Sequence, residues 1–248
     1  MKTFRNRWTL ATALGYLLGF WSFGLVYTIF SFFAPESIAH ISPLDLPEHL
    51  DPNALPDWLD RSTYETLYTF NLSQHLVMYP IFGAIFASIQ SFALRDKLSG
   101  IMPWIVAAML GFLTIIIAEV FKRHIVIGPH AGPIEPIMIV LGGGGLAGLF
   151  QFLWLRSQDI HAAKWLGMWI TGILAGIVVA VAFLIGLGKL MSGAIAHLEE
   201  NLPKISWAIE LGIFGSVVGG VAGWISAKAL QESLQIADSD PDPEHHKN

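Results

Sequence analysis

The chain has 248 residues, 54% hydrophobic and 13% charged, with a formal net charge of −5 and a mean hydropathy of +0.57. Soluble globular domains carry roughly 25% charged residues, so about half the expected charge is missing and a membrane is the natural solvent. The mild acidity gives no electrostatic support for a nucleic-acid partner. The absence of cysteine excludes disulfides, thiolate metal sites and a cysteine nucleophile.

A helix that spans a bilayer needs about 20 mostly apolar residues. Six stretches satisfy this, at about 8–33, 72–94, 101–120, 136–155, 165–187 and 205–228. The first follows Lys2, Arg5 and Arg7, but its apolar run is longer than the 7 to about 15 residues of a signal-peptide core, so it reads as a retained anchor. The loop at 34–66 carries seven acids, Glu36, Asp45, Glu48, Asp51, Asp57, Asp60 and Glu65, against Arg61 alone. Pro35, Pro43, Pro47 and Pro56 forbid a continuous helix there. Beyond them, Trp58, Leu59, Tyr64, Leu67 and Tyr68 outline an apolar face that predicts a short interfacial helix leading into the second span.

The second span holds Gln74, His75 and Pro80, and Pro80 predicts a kink. Between the third and fourth spans, Gly128 to Pro133 predicts a tight turn, with Glu135 near the next helix start. The run Gly142 to Gly145 lacks the lysine and the preceding strand of a phosphate loop, which excludes that kind of nucleotide site. Residues 231–248 predict a disordered acidic tail.

With the N-terminus inside, the cytoplasmic segments hold Lys2, Arg5, Arg7, Arg95, Lys97, Arg156, Lys164, Lys228 and Lys247, against Arg61, Lys122, Arg123, Lys189 and Lys204 outside. That bias follows the positive-inside rule and places both termini in the cytoplasm.

Self-comparison is more informative than any single motif. Gly83, Ala87, Gln90, Leu94 and Arg95 recur 61 residues later as Gly144, Gly148, Gln151, Leu155 and Arg156. Each arginine is followed nine residues on by Trp104 or Trp165, and each tryptophan seven further on by Gly111 or Gly172. Arg7, Trp8 and Gly15 open the first span in the same way, and Gly215, Gly219 and Gly223 mark a third returning helix, with Ala222 where a Gln is expected. The fold class is thus all-α integral membrane, six transmembrane helices arranged as three parallel-repeat hairpins around a pseudo-threefold axis along the membrane normal. The carrier signature P-x-[DE]-x-x-[KR], which also accompanies three two-helix copies, is absent.

The pattern G-x-x-x-[GA]-x-x-Q-x-x-x-L-R, followed by a Trp opening the next helix, resembles a group of uncharacterised bacterial multi-pass membrane proteins common in cyanobacteria and related phyla. The likeness is clear over about residues 83–180 and weak over both end spans. It implies a bacterial plasma membrane, with the thylakoid membrane as the alternative, and it implies no named activity.

Helix association in lipid relies on close packing at small residues. Gly15, Gly19, Gly83, Ala87, Gly144, Gly148, Gly172, Gly176, Gly215, Gly219 and Gly223 are therefore expected helix-packing positions. Gln90 and Gln151 lie on the same stripes, aimed into an interface, either as a cross-helix bond contributing about 0.6 to 2 kcal/mol or as the lining of a polar solute path. Arg95, Trp104, Arg156 and Trp165 are expected at the headgroup level as interface anchors. Glu119 and Glu210 read either as interfacial groups or as a coupled proton or cation site. His75, inside a span, is the candidate axial ligand for haem or chlorophyll. No metal-binding spacing and no catalytic constellation stands out, so no cofactor and no enzyme activity is predicted.

The composite expectation is a non-catalytic accessory or scaffold subunit of a larger membrane complex, contacting the lipid bilayer and meeting protein partners through the glycine faces and the 34–66 loop. A small solute or ion transporter or channel is the alternative, and a haem- or chlorophyll-binding subunit the third reading.

Overall fold

Apolar residues fill every turn of the long segments, and no water is available in a bilayer to satisfy a free peptide group, so the backbone closes its hydrogen bonds within helices. A computed structural model describes residues 2–39, 49–50, 55–98, 100–122, 125–126, 134–201 and 203–238. In chain order the helices are α1 (Lys2–Ser31), α2 (Glu36–Ala39), α3 (Arg61–Leu94), α4 (Met102–Lys122), α5 (Ile134–Met138), α6 (Gly144–Ser157), α7 (Ala163–Asn201) and α8 (Pro203–Asp238). A single widened π turn at Ile139–Gly143 joins α5 to α6.

Five of these helical segments are long and apolar enough to cross a membrane: Thr3–Ser31, Arg61–Leu94, Pro136–Ser157, Ala163–Leu187 and Ile209–Leu234. Helix α4 contributes a shorter apolar stretch, Met102–Ile117. The helices form a closed ring in chain order, α1 against α3, α3 against α4, α4 against α6, α6 against α7, α7 against α8, and α8 back against α1. The seam between α6 and α7 is the slightest and the two flanks of α8 the most extensive.

Several boundaries differ from the sequence reading. The short interfacial helix is not separate: α3 begins at Arg61 and runs unbroken to Leu94, with Pro80 inside it. Its start is fixed by Asp60, whose side chain accepts from the Thr63 amide at 2.8 Å, the usual N-cap arrangement. Leu59 and Tyr64 are buried in a small cluster with Leu55, Leu67 and Tyr68, whereas Trp58 is exposed. The stretch expected as a disordered tail is helical through Asp238, with Leu234 buried, because Leu230 and Leu234 still have bundle to pack against. Residues 239–248, and the expected turn at Gly128 to Pro133, lie outside the described residues.

The 34–66 loop also carries a feature that its composition hid. His49 and Leu50 (β1) pair antiparallel with Val126 and Ile125 (β2), linking it to the segment after α4. At the opposite end the connections are tight. Arg7 donates from Nη2 to the Phe92 carbonyl at 3.0 Å and stands 3.8 Å from Asp96. The α6 helix ends in a backbone motif where the Ile160 and Asp159 amides donate to the Leu155 and Arg156 carbonyls, with Asp159 at φ 57°. That is the six-to-one and five-to-two bonding that ends many helices, with Asp standing where Gly is usual.

Candidate functional site

Helix α1 turns one stripe inward, Trp8, Thr12, Tyr16, Phe20 and Phe23, all buried. Their spacing of three or four residues keeps them on one face. Helix α3 answers with Tyr79, Phe82, Phe86 and Gln90, α4 with Trp104 and Phe112, and α7 with Trp165 and Trp169. Among the described residues, the eleven largest fully buried side chains all belong to these helices and are aromatic.

They form a continuous column down the ring. At the end with the tight turns, Trp104 lies 6.2 Å from Trp8 and 5.8 Å from Trp165, ring centroid to centroid. Trp165 continues to Trp169 at 6.2 Å, Trp169 to Phe86 at 6.2 Å and Phe86 to Tyr16 at 4.7 Å. Phe82 then meets Phe20 at 5.0 Å and Phe112 at 4.5 Å, and Phe23 meets Tyr79 at 5.7 Å. Tyr79 reaches His75 at 5.4 Å, toward the loop end. Edge-to-face and tilted pairs of this kind add about 0.5 to 1.5 kcal/mol each beyond the area they bury.

The glycine stripes seat this column. A Cβ on Gly15 would lie 3.0 Å from the Phe86 ring, and one on Gly19 2.9 Å from the Phe82 ring. Gly148 faces Trp169, Gly144 faces the Tyr16 hydroxyl, and Gly215 faces Phe20, all closer still. Other glycines bring backbone against backbone: Gly83 at Met109, Gly111 at Ala147, Gly172 at Ala222, Gly176 at Val218 and Gly223 at Thr9. The glycine faces expected to receive a partner protein are therefore occupied within the chain. Side-chain volume on the facing helix has to be matched by its absence here.

Where the column meets the turn end, a belt of polar groups crosses it. Gln151 Nε2 donates to Gln90 Oε1 at 3.5 Å, and Gln90 Nε2 donates to Thr12 Oγ1 at 3.4 Å. The Thr12 hydroxyl donates to the Trp8 carbonyl at 2.8 Å, and Trp8 Nε1 donates to Ser226 Oγ at 3.1 Å. Trp169 Nε1 adds a bond to the Gly144 carbonyl at 3.0 Å. The belt stitches α7, α6, α3, α1 and α8 in turn. Gln90, Gln151, Thr12 and Ser226 are all fully buried, and Gln151 Oε1, Trp104 Nε1, Trp165 Nε1 and the Tyr16 hydroxyl have no hydrogen-bond partner.

No family model, curated protein or solved structure matches this chain.

The sequence singled out Gln90 and Gln151, and the fold brings their amides together. Trp104 and Trp165, expected among lipid headgroups, are instead wholly buried in the axis. Trp104 meets Trp8 edge to face and Trp165 stacks on Trp169, and burying that much ring against ring outweighs an interfacial berth. Arg95 and Arg156 are exposed at the turn end, Arg95 beside Asp96 at 3.5 Å. His75 is buried, sharing a 3.4 Å hydrogen bond between its Nε2 and the Tyr27 hydroxyl. Glu210 is half-buried on α8, and the side chain of Glu119 lies outside the described residues. No cluster of three or more metal-ligating side chains occurs among the described residues.

Within the polar belt, Trp8 is legible in the sequence only as a helix opener, while Thr12 and Ser226 carry no signal until the register of α8 is known. Gly15, Gly111 and Gly172 approach Phe86, Ala147 and Ala222. Four residues beyond each of those stand Gln90, Gln151 and Ser226, and four beyond these stand Leu94, Leu155 and Leu230, all buried. The counterpart of the glutamines on α8 is therefore Ser226 and not Ala222, one helical turn from the position first expected. The signal was legible as Gly219, Gly223, Ser226 and Leu230, which repeat the spacing of Gly144, Gly148, Gln151 and Leu155.

Proposed function

We propose that this protein is a non-catalytic accessory or scaffold subunit of a larger bacterial membrane complex. In this reading it has six spans, α4 supplying the shortest, arranged as three parallel hairpins (α1 with α3, α4 with α6, α7 with α8) and with both termini cytoplasmic. The observation that carries it is the aromatic column: the axis that a transporter would keep open is packed with eleven fully buried aromatic side chains. A core of that kind makes a rigid element on which other subunits can be arranged.

Two outward features support the role. Gly142 and Gly145 have nothing within 4 Å of where a Cβ would stand, leaving a flat strip on the outside of α6 and the π turn beside Leu141 and Leu149, both exposed. At the loop end Phe32 and Phe33, next to the acidic 34–66 segment, and Trp58 within it are exposed, which fits contact with a partner outside the bilayer. The test is isolation from native membranes in mild detergent, followed by native mass spectrometry. Recovery in an assembly of fixed stoichiometry is expected, and recovery solely as a monomer, at every detergent strength tried, contradicts the reading.

The transporter reading draws on one observation, the unpartnered Gln151 Oε1 beside Gln90 in the axis. It requires the tryptophan cluster to part. The haem or chlorophyll reading requires His75 to give up its bond to Tyr27.

A further inference from the structure

On the outside of the ring, at the turn end, helices α1, α7 and α8 enclose a groove of about 240 Å³ lined by Arg5, Lys164, Met168, Trp224, Ile225, Lys228 and Ala229. Three cations from three different helices converge on it. One carboxylate answers them: Glu232 accepts from Lys164 Nζ at 2.7 Å and lies 3.7 Å from Lys228. Arg5 has no acidic partner among the described residues. Its guanidinium lies over the Trp224 ring, 5.6 Å from the centroid, within cation–π range, and its Nε is shielded from solvent without an acceptor. Trp224 is 58% exposed, and Met168 and Ile225 continue the groove as an apolar wall.

We propose that this groove binds the headgroup of an anionic phospholipid, the phosphodiester taken by Arg5 and Lys228 and the glycerol and upper acyl chain lying along Trp224 and Met168. Three observations lead to it. The groove keeps an excess of positive charge after Glu232 is counted, Arg5 holds an unused buried donor of the geometry that suits a phosphate, and the polar and apolar walls are arranged as a lipid is, head to tail. Basic pockets between spans at a membrane surface recognise anionic headgroups by this charge complementarity. A soluble phosphate would use the cations but not the apolar wall. The inference rests on the membrane placement of α1, α7 and α8, and it stands or falls independently of the scaffold role.

The test uses the purified full chain in detergent, with phosphatidylglycerol and phosphatidylcholine added together and bound lipid read by native mass spectrometry. Wild type is expected to retain phosphatidylglycerol preferentially. The R5Q/K228Q variant should lose that preference by about fivefold per cation removed, K228R should keep it, and E232Q should strengthen it. Inorganic phosphate at the same concentration should not displace the lipid. Equal retention by wild type and R5Q/K228Q overturns the proposal, as does loss in K228R to the level of R5Q/K228Q. Displacement by inorganic phosphate also overturns it, in favour of a soluble anion.

Discussion

At the scale of single residues, local geometry predicts effects of opposite sign. Asp159 adopts φ 57° at the end of α6, a backbone region that costs an L residue about 1 to 2 kcal/mol and glycine almost nothing. D159G is therefore expected to stabilise the protein by about 1 kcal/mol, seen as a raised midpoint in thermal unfolding in detergent. Gly83 is the converse, since an added Cβ would meet the Met109 backbone at 2.8 Å. G83A is expected to destabilise by about 1 to 3 kcal/mol through forced helix separation, while G145A, where a Cβ meets nothing, should be neutral or slightly stabilising. Equal effects of the two alanines would show that α3 and α4 do not approach as described. Asp60 gives a pH signature: the Thr63 amide, and then its hydroxyl, donating to the Asp60 carboxylate hold its pKa below the usual carboxylate range. A depressed folded pKa means that the cap contributes above the ordinary carboxylate range and is lost as pH falls through the folded value. Hydrogen exchange at Thr63 and Tyr64, corrected for intrinsic rates, should quicken on acidification in wild type and be flat in D60N. The glycine positions were legible from their spacing of four, because that spacing is a property of the helix. What each glycine faces was not, because a ring seated in a gap is contributed by another helix.

At the scale of elements, the polar belt couples helices that the sequence treats separately. Gln90 bonds to both Thr12 and Gln151, so Q90L should destabilise more than Q151L, which breaks one link. A double-mutant cycle on the pair is expected to return a coupling of about 0.6 kcal/mol, the usual size for a cross-helix bond within a membrane. A coupling indistinguishable from zero would mean that the two amides do not meet. The 61-residue offset made the glutamines recognisable as equivalents, yet their convergence depends on ring closure, which no pairwise spacing encodes. The α8 register was misread for a similar reason. Gly215, Gly219 and Gly223 align equally well at two settings one turn apart, and the close approach of Gly172 to Ala222 decides between them. Trp104 and Trp165 were placed among headgroups on residue type alone. A tryptophan at a helix start suits that role equally well until two others arrive beside it. The aromatic residues Tyr16, Phe20 and Phe23 with Tyr79, Phe82 and Phe86 lie at helical spacing, but in a span where every face is apolar that spacing does not single them out.

At the scale of the molecule, the protein is a ring of helices closed by α8 against α1 around an axis filled with aromatic side chains. Composition made the membrane and the all-helical class legible, because apolar runs of about 20 residues satisfy their backbone in hydrocarbon as helices. The filled axis was not legible, since inward and outward faces of a membrane helix are both apolar. The chain contains no cysteine, so single cysteines report cleanly. The most direct measurement is the labelling of Q90C and Q151C by a small membrane-impermeant maleimide in sealed vesicles of each orientation, compared with a cysteine in place of exposed Arg156 as the positive control. Neither axial cysteine is expected to react from either side until the protein is denatured. Reaction at Q90C or Q151C in the folded protein, at a rate approaching the control, would contradict that and open the axis to water.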